Sequence, residues 1–184
     1  MTLKSLNINK QWSLFLDRDG VINKKMDNND YVKHWADFEF LEGVNVALKN
    51  LNSIFGTIVV VTNQQGIGKH LYRIEDLDLI HKNMLYDINY LGGRIDKVYY
   101  SPYLDSENHP TRKPSTGMGL QAKKDFPNID FTKSIIVGDS MSDMEFGRNL
   151  GMKTVFISEN KKEDAKIDFN FTSLVEFSME LILK

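Results

Sequence analysis

The 184-residue chain is 41% apolar and 26% charged, proportions that fit a folded globular protein and exclude a disordered one. Its formal net charge of −2 and pI near 6.1 give no basic footprint for nucleic acid and no polybasic membrane anchor, which leaves small-molecule chemistry. Cysteine is absent, which excludes disulfides, a thiolate nucleophile and cysteine-liganded zinc.

No apolar run approaches ~18 residues, and the opening "MTLKSLNINKQW" lacks the apolar core of a signal peptide; a cytoplasmic protein with no membrane span is expected. The length suits one domain over residues 1–184, with a monomer as the default.

In chain order, a first strand is predicted at Ser13–Leu16, followed by a long connection, Val21–Glu42, and a helix over Gly43–Phe55. A strand at Thr57–Val61 leads to a helix over Ile74–Leu91, whose apolar positions form a core-facing stripe. A third strand, Lys97–Tyr100, opens a second long connection, Ser101–Ser115, and a helix over Thr116–Phe126. Strands at Ser134–Val137 and Thr154–Ile157 flank a helix over Met141–Leu150, and a last helix lies near Ser173–Leu183. Short, uniformly apolar strands alternating with helices predict an α/β fold, a doubly wound and mostly parallel sheet covered on both faces. "GIGK", Gly66–Lys69, lacks P-loop spacing and reads as a turn, and "ENKKEDAK", Glu159–Lys166, as a solvated loop.

Ligands of such sheets bind outside the carboxyl ends of the strands. Four polar clusters fall there: Asp17 with Asp19, Thr62 with Asn63, Arg112 with Lys113, and Asp139 with Asp143. On an extended segment Asp17 and Asp19 share a face and Arg18 points away. If Asp139 joins them, each carboxylate pair at ~4 Å repels by roughly 4 kcal/mol at an effective dielectric near 20, so the cluster calls for a cation. An oxygen-only donor set favours magnesium over zinc. Thr62, Asn63 and Lys113 are donors suited to a phosphate. Singly, each has a plainer reading: Asp-Gly as a turn, Thr62 or Asp139 as a cap, "RKP" as a solvated loop.

In combination, "DRDGV", "VVVTN", "RKP" and "VGDSMSD" resemble the four motifs of the haloacid dehalogenase superfamily of phosphotransferases, over about Ser13 to Ile157. "DRDGVIN", "FEFLEGV", "TNQQGIGK" and "RKPSTGM" are similar to the branch that holds the heptose bisphosphate and histidinol-phosphate phosphatases, and "DYVKHW" leans toward the former. The resemblance implies a Rossmann-like fold with flap loops and no full cap domain, and magnesium-dependent hydrolysis of a phosphomonoester through an aspartyl-phosphate. The 7-phosphate of D-glycero-D-manno-heptose 1,7-bisphosphate is the implied target, with histidinol phosphate or another small sugar phosphate as the alternative. It further implies Asp17 as nucleophile, Asp19 as general acid then base, and Thr62, Asn63 and Lys113 as phosphate ligands. Magnesium would sit on the Asp17 and Asp139 carboxylates and the Asp19 carbonyl, with Asp143 orienting Lys113 or a bound water.

Many members of the superfamily carry a zinc loop before the Arg-Lys-Pro motif. Aligned on "SPYLDSENHPTRKP", its ligand positions hold Ser101, Tyr103, His109 and Thr111. One histidine cannot close a tetrahedral site, so no zinc is expected, and Pro102, Pro110, Tyr103 packing and hydrogen bonds must hold the loop. Substrate choice falls to the loops, with Arg112, Arg18, Asn23 and Lys24 as expected contacts. Lys25, Lys33, His34, Lys69 and His70 are further rim groups for a second phosphate. Two other classes share these features: a receiver-like domain phosphorylated on Asp, and a silent phosphosugar-binding module. Asp19 two residues after the nucleophile, and the acidic "GDSMSD", favour turnover.

Overall fold

The computed structural model describes residues 2–26 and 30–183. Six strands form one sheet: β1 (Ser13–Leu16), β2 (Thr57–Asn63), β3 (Lys97–Ser101), β4 (Ser134–Gly138), β5 (Lys153–Ile157) and β6 (Phe169–Phe171). Their order is β3-β2-β1-β4-β5-β6, and every pairing is parallel. The chain starts in the centre at β1, winds outward through β2 and β3, then returns to β4 on the other side. The reversal places a crevice at the carboxyl ends of β1, β2 and β4.

The helices are α1 (Val44–Ile54), α2 (Ile74–Tyr90), α3 (Gly117–Asp125), α4 (Met141–Leu150) and α5 (Leu174–Ile182). Alternation along the strands divides the core in two. Leu14, Leu16, Ile58, Val60, Ile135 and Val137 face Leu48 and Leu51 of α1, Met84 and Ile88 of α2 and Phe177 of α5. Phe15, Val59, Val61 and Ile136 face Met118 and Ala122 of α3 and Phe146 of α4. The central strands are therefore buried on both faces, which is why their sequences are uniformly apolar.

All predicted helices and the first five strands are present, with ends shifted by a residue or two. β6 is an addition. Its three half-buried residues, Phe-Asn-Phe, sit in a polar stretch without the length or uniformity of a strand signal. Between β1 and α1 there is a flap rather than a cap: Asn23 bridges both Asp19 and Phe40, and the described part otherwise forms one 3₁₀ turn, Trp35–Asp37. Residues 27–29 of the expected flap lie outside the described residues. Among the described residues no helix is long and apolar enough to cross a membrane.

Candidate active site

β1 stops at Leu16, and the next residues turn over the end of the sheet while Asp17 N–H still donates to Val137 O at 2.9 Å. Gly20 makes the turn possible: its φ is +90°, and a Cβ there would lie 1.9 Å from Asp139 Oδ2. Asp17, Asp139 and Asp143 thereby come together, with one carboxylate oxygen from each within 4.8 Å of the others.

Lys113 reaches into this group from the loop after β3. Its buried ammonium lies 2.9 Å from Asp17 Oδ1 and 2.6 Å from Asp143 Oδ1, and donates to Val61 O at 2.6 Å. The Val61 contact is a hydrogen bond and the two carboxylate contacts are ion pairs; Asp143 Oδ1 is buried with no hydrogen-bond partner. Asp143, fully buried, also accepts from Ser140 N and Oγ at the start of α4. Lys25 of the flap lies 2.6 Å from Asp139 Oδ2, while Asp139 Oδ1 is buried and without a hydrogen-bond partner.

Three carboxylates against two ammonium groups leave the cluster short of positive charge. Burial, opposed by Lys113 and reinforced by Asp143, Asp139 and Asp19, pushes Asp17 up to about 7. Burial likewise raises Asp139 against the pull of Lys25. Burial works against the charge of Lys113, but Asp143 and Asp17 hold it above the ordinary lysine range. A buried, all-oxygen set with an orphan carboxylate oxygen suits a hard divalent cation such as magnesium.

Asp19 stands apart. Its carboxylate accepts from Arg18 Nη2 at 2.8 and 3.0 Å, Asn23 Nδ2 at 2.9 Å and Gln64 Nε2 at 2.8 Å. Burial alone would raise Asp19, but the Arg18 charge and these hydrogen bonds hold it below the ordinary carboxylate range. It borders a cavity of about 270 Å³ that Lys25, Tyr31, Gln64 and Gln65 also line.

The expectation that Arg18 points away from Asp19 is corrected: the alternation it relied on ends with β1, and the guanidinium folds back, 1% exposed, onto Asp19, Gln64 and His81. Asn23 is fully buried and holds Asp19 and the Lys24 carbonyl. Lys24 pairs with Glu39 at the surface. The structure therefore gives Arg18, Asn23 and Lys24 protein partners where substrate contacts were expected. Arg112 is similarly engaged with Asp105 Oδ1 and Tyr103 O.

Thr62 Oγ1 accepts from Gln64 Nε2 at 2.9 Å, which leaves its hydroxyl hydrogen to donate. Asn63 pairs reciprocally with the Lys113 main chain, at 3.1 and 3.0 Å, and so positions Lys113. The four zinc-loop positions touch one another: Ser101 Oγ lies 3.1 Å from Thr111 Oγ1, Thr111 Oγ1 lies 2.8 Å from His109 Nδ1, and the Tyr103 ring stacks on His109. Gln64, Tyr72 and His81 escaped the sequence reading. His81 was legible only as a titratable residue on the buried stripe of α2, among Leu77, Ile80 and Met84.

A doubly wound parallel sheet with buried carboxylates after β1 and β4, a hydroxyl after β2 and a lysine after β3 is a haloacid dehalogenase-type phosphatase. Residues 13–180 match the model of the polynucleotide kinase 3 phosphatase family, and the chain belongs to that family. It is 38% identical, over 92% of its length and 90% of the relative's, to D-glycero-alpha-D-manno-heptose-1,7-bisphosphate 7-phosphatase of Mycobacterium bovis. With the D-glycero-beta-D-manno-heptose-1,7-bisphosphate 7-phosphatase of Rhodopseudomonas palustris it shares 35% identity, over 75% of this chain and 78% of that one. The structure of D,D-heptose 1,7-bisphosphate phosphatase from B. bronchiseptica, complexed with magnesium and phosphate, superposes with a TM-score of 0.83 at 24% identity, covering 94% of this chain and 98% of that one.

Proposed function

We propose that the chain removes the 7-phosphate of D-glycero-D-manno-heptose 1,7-bisphosphate by way of an aspartyl-phosphate on Asp17. The observation that carries the reading is the buried Asp17 carboxylate 2.9 Å from the Lys113 ammonium, clustered with Asp139 and Asp143 in a group short of positive charge. The named relatives supply the substrate.

Asp17 attacks phosphorus while the P–O bond to C7 of the sugar breaks; Asp19, a carboxylate in the free site, takes up a proton as the phosphate dianion binds beside it and gives that proton to the departing oxygen. As Asp17 Oδ1 bonds to phosphorus, the Lys113 ammonium paired with it turns to a phosphoryl oxygen, and the Thr62 hydroxyl donates to another. Asn63 keeps Lys113 in register. Asp19, now a carboxylate held by Arg18, Asn23 and Gln64, takes a proton from water as it attacks phosphorus and frees Asp17. The Asp17 and Asp139 carboxylates and the Asp19 carbonyl would hold magnesium, which would supply positive charge to balance the phosphoryl oxygens. Asp143, committed to Lys113 and Ser140, orients the lysine. The contacts among Ser101, Tyr103, His109 and Thr111 hold the 101–115 loop without zinc.

Phosphate release is measured with magnesium on the α and β anomers of heptose 1,7-bisphosphate and on histidinol phosphate. A clear preference for a heptose anomer, lost in Asp17→Asn, is expected. Comparable low efficiency on all three defeats the substrate assignment; no turnover with magnesium or manganese on any phosphomonoester defeats the phosphatase mechanism.

A further inference from the structure

The two groups that grip Asp19 from the β2 side, Arg18 and Gln64, are each 1% exposed. Both have a far end that burial forces to find a partner. The Arg18 Nη1 group meets His81 Nε2 at 3.2 Å. Gln64 Oε1 accepts from the Tyr72 hydroxyl at 2.6 Å. Tyr72 and His81, 5% and 6% exposed, come from the turn before α2 and from its middle, and neither falls in any of the four motifs.

These backing contacts decide orientation. Arg18 Nη2, which only donates, lies 3.4 Å from the same end of the Gln64 amide as the Tyr72 hydroxyl and identifies that end as oxygen, so the NH₂ end must face Asp19 and Thr62 Oγ1. Without the Tyr72 hydroxyl the amide oxygen keeps only the longer 3.4 Å contact from Arg18 Nη2, and its NH₂ end is held less firmly against Asp19. His81 acts in the same way on Arg18. Opposite a guanidinium, which only donates, Nε2 must be the bare acceptor nitrogen and Nδ1 must carry the proton. Burial, then the Arg18 charge, keep the ring neutral by lowering its pKa to about 3.

We propose that Tyr72 and His81 are positioning residues for Asp19: through Gln64 and Arg18 they aim its carboxyl group at the leaving-group oxygen. The inference rests on the reading of Asp19 as general acid. It also links the acid to the phosphate cradle, because Gln64 Nε2 donates to both Asp19 and Thr62.

A group that aims an acid matters in proportion to the leaving group's need for a proton. A sugar alkoxide needs one as the P–O bond breaks and the Asp17–phosphorus bond forms; p-nitrophenolate departs as the anion with no proton. The test compares kcat/KM, which reports the steps through leaving-group departure, on the sugar phosphate hydrolysed fastest and on p-nitrophenyl phosphate. Wild type, Asp19→Asn, Tyr72→Phe, His81→Leu and His81→Gln are measured, with thermal melting to confirm folding.

General acid catalysis contributes about 10²–10⁴-fold, so Tyr72→Phe and His81→Leu, which loosen the acid rather than remove it, are expected to lose about tenfold on the sugar phosphate. KM should be little changed, and the loss on p-nitrophenyl phosphate should be less than about threefold. His81→Gln, which restores an acceptor for Arg18, is expected to recover most of the loss. Equal losses on both substrates, or none on either, overturn the proposal. A His81→Leu chain that does not fold leaves the decision to Tyr72→Phe, which removes a single oxygen. If Asp19→Asn shows the leaving-group signature and Tyr72→Phe does not, the backing role alone fails. If Asp19→Asn does not show it, the acid assignment fails, and the inference with it.

Discussion

At the scale of residues, the site is built from charges that the fold places in less water than they would choose. His81 is the neutral counterpart of the carboxylate cluster. Its pKa is about 3 against an unfolded value near 6.5, so folding favours the neutral ring. The resulting stability is complete above pH ~6.5 and is lost as pH falls toward 3, because the unfolded chain then binds the extra proton. At about 1.4 kcal/mol per unit, wild type should lose about 2 kcal/mol more than His81→Gln between pH 6.5 and 5. Urea titrations of the two proteins at both pH values check this; parallel losses would mean that the ring is not held neutral. That residue was hidden in the sequence because a histidine on an apolar helix stripe is read as core. The aspartates, in contrast, were legible because each follows a strand whose end could be placed to within a residue.

Among the elements, the 101–115 loop is the most informative. Its anchor points were visible as departures from a zinc-ligand pattern, but the contacts replacing it were not, since hydrogen bonds between residues ten apart have no sequence signature. Thr111 is central. Its N–H donates to His109 Nδ1 at 3.3 Å, so that nitrogen is an acceptor, and a single direction of donation runs from Ser101 Oγ through Thr111 Oγ1 to His109. Two further contacts tie the loop to the turn after β2: Gln64 N–H donates to Ser101 O at 2.7 Å and Gly68 N–H to Pro102 O at 3.1 Å. Thr111→Val keeps the shape and removes both hydroxyl contacts, leaving Ser101 and His109 without that partner at a cost of about 1–3 kcal/mol. Hydrogen exchange should accelerate across 101–113 while β4 and β5 stay protected, and phosphatase kcat should fall because Lys113 is held from this loop. Unchanged exchange would show that the Tyr103–His109 stack and the Arg112 contacts suffice. The same scale shows where pattern reading stops. β1 to β5 announce themselves by unbroken apolar runs, whereas β6 takes its place by pairing with β5. Arg18 was misdirected because alternation was extended past the last residue of β1.

For the whole molecule, the two-sided core fixes the sheet firmly enough to hold mutually repelling groups at its edge, and the cost of that arrangement is measurable. Asp17 has a pKa of about 7 in the fold and an ordinary value near 3.9 unfolded, so above pH 7 an ionised Asp17 opposes folding. The penalty shrinks as pH falls from 7 toward 4, where folded and unfolded chains carry the same proton. Asp17→Asn should therefore stabilise the metal-free protein at pH 8 by a few kcal/mol even though it removes the proposed nucleophile, a trade between stability and activity at a single side chain. For a chain of this size each kcal/mol moves Tm by about 2–4 °C, so a rise of about 5–10 °C in EDTA is expected, fading when the comparison is repeated at pH 5. Magnesium should reverse the order. On the proposed mechanism it binds the folded wild type through Asp17, adding about 2.7 kcal/mol at a hundred times Kd, and an amide there would hold it less tightly. The alternative is that the Lys113 pair outweighs the crowding of Asp139 and Asp143; Asp17→Asn would then melt below wild type at pH 8 in EDTA, and the account of the cluster as a site short of positive charge would be wrong.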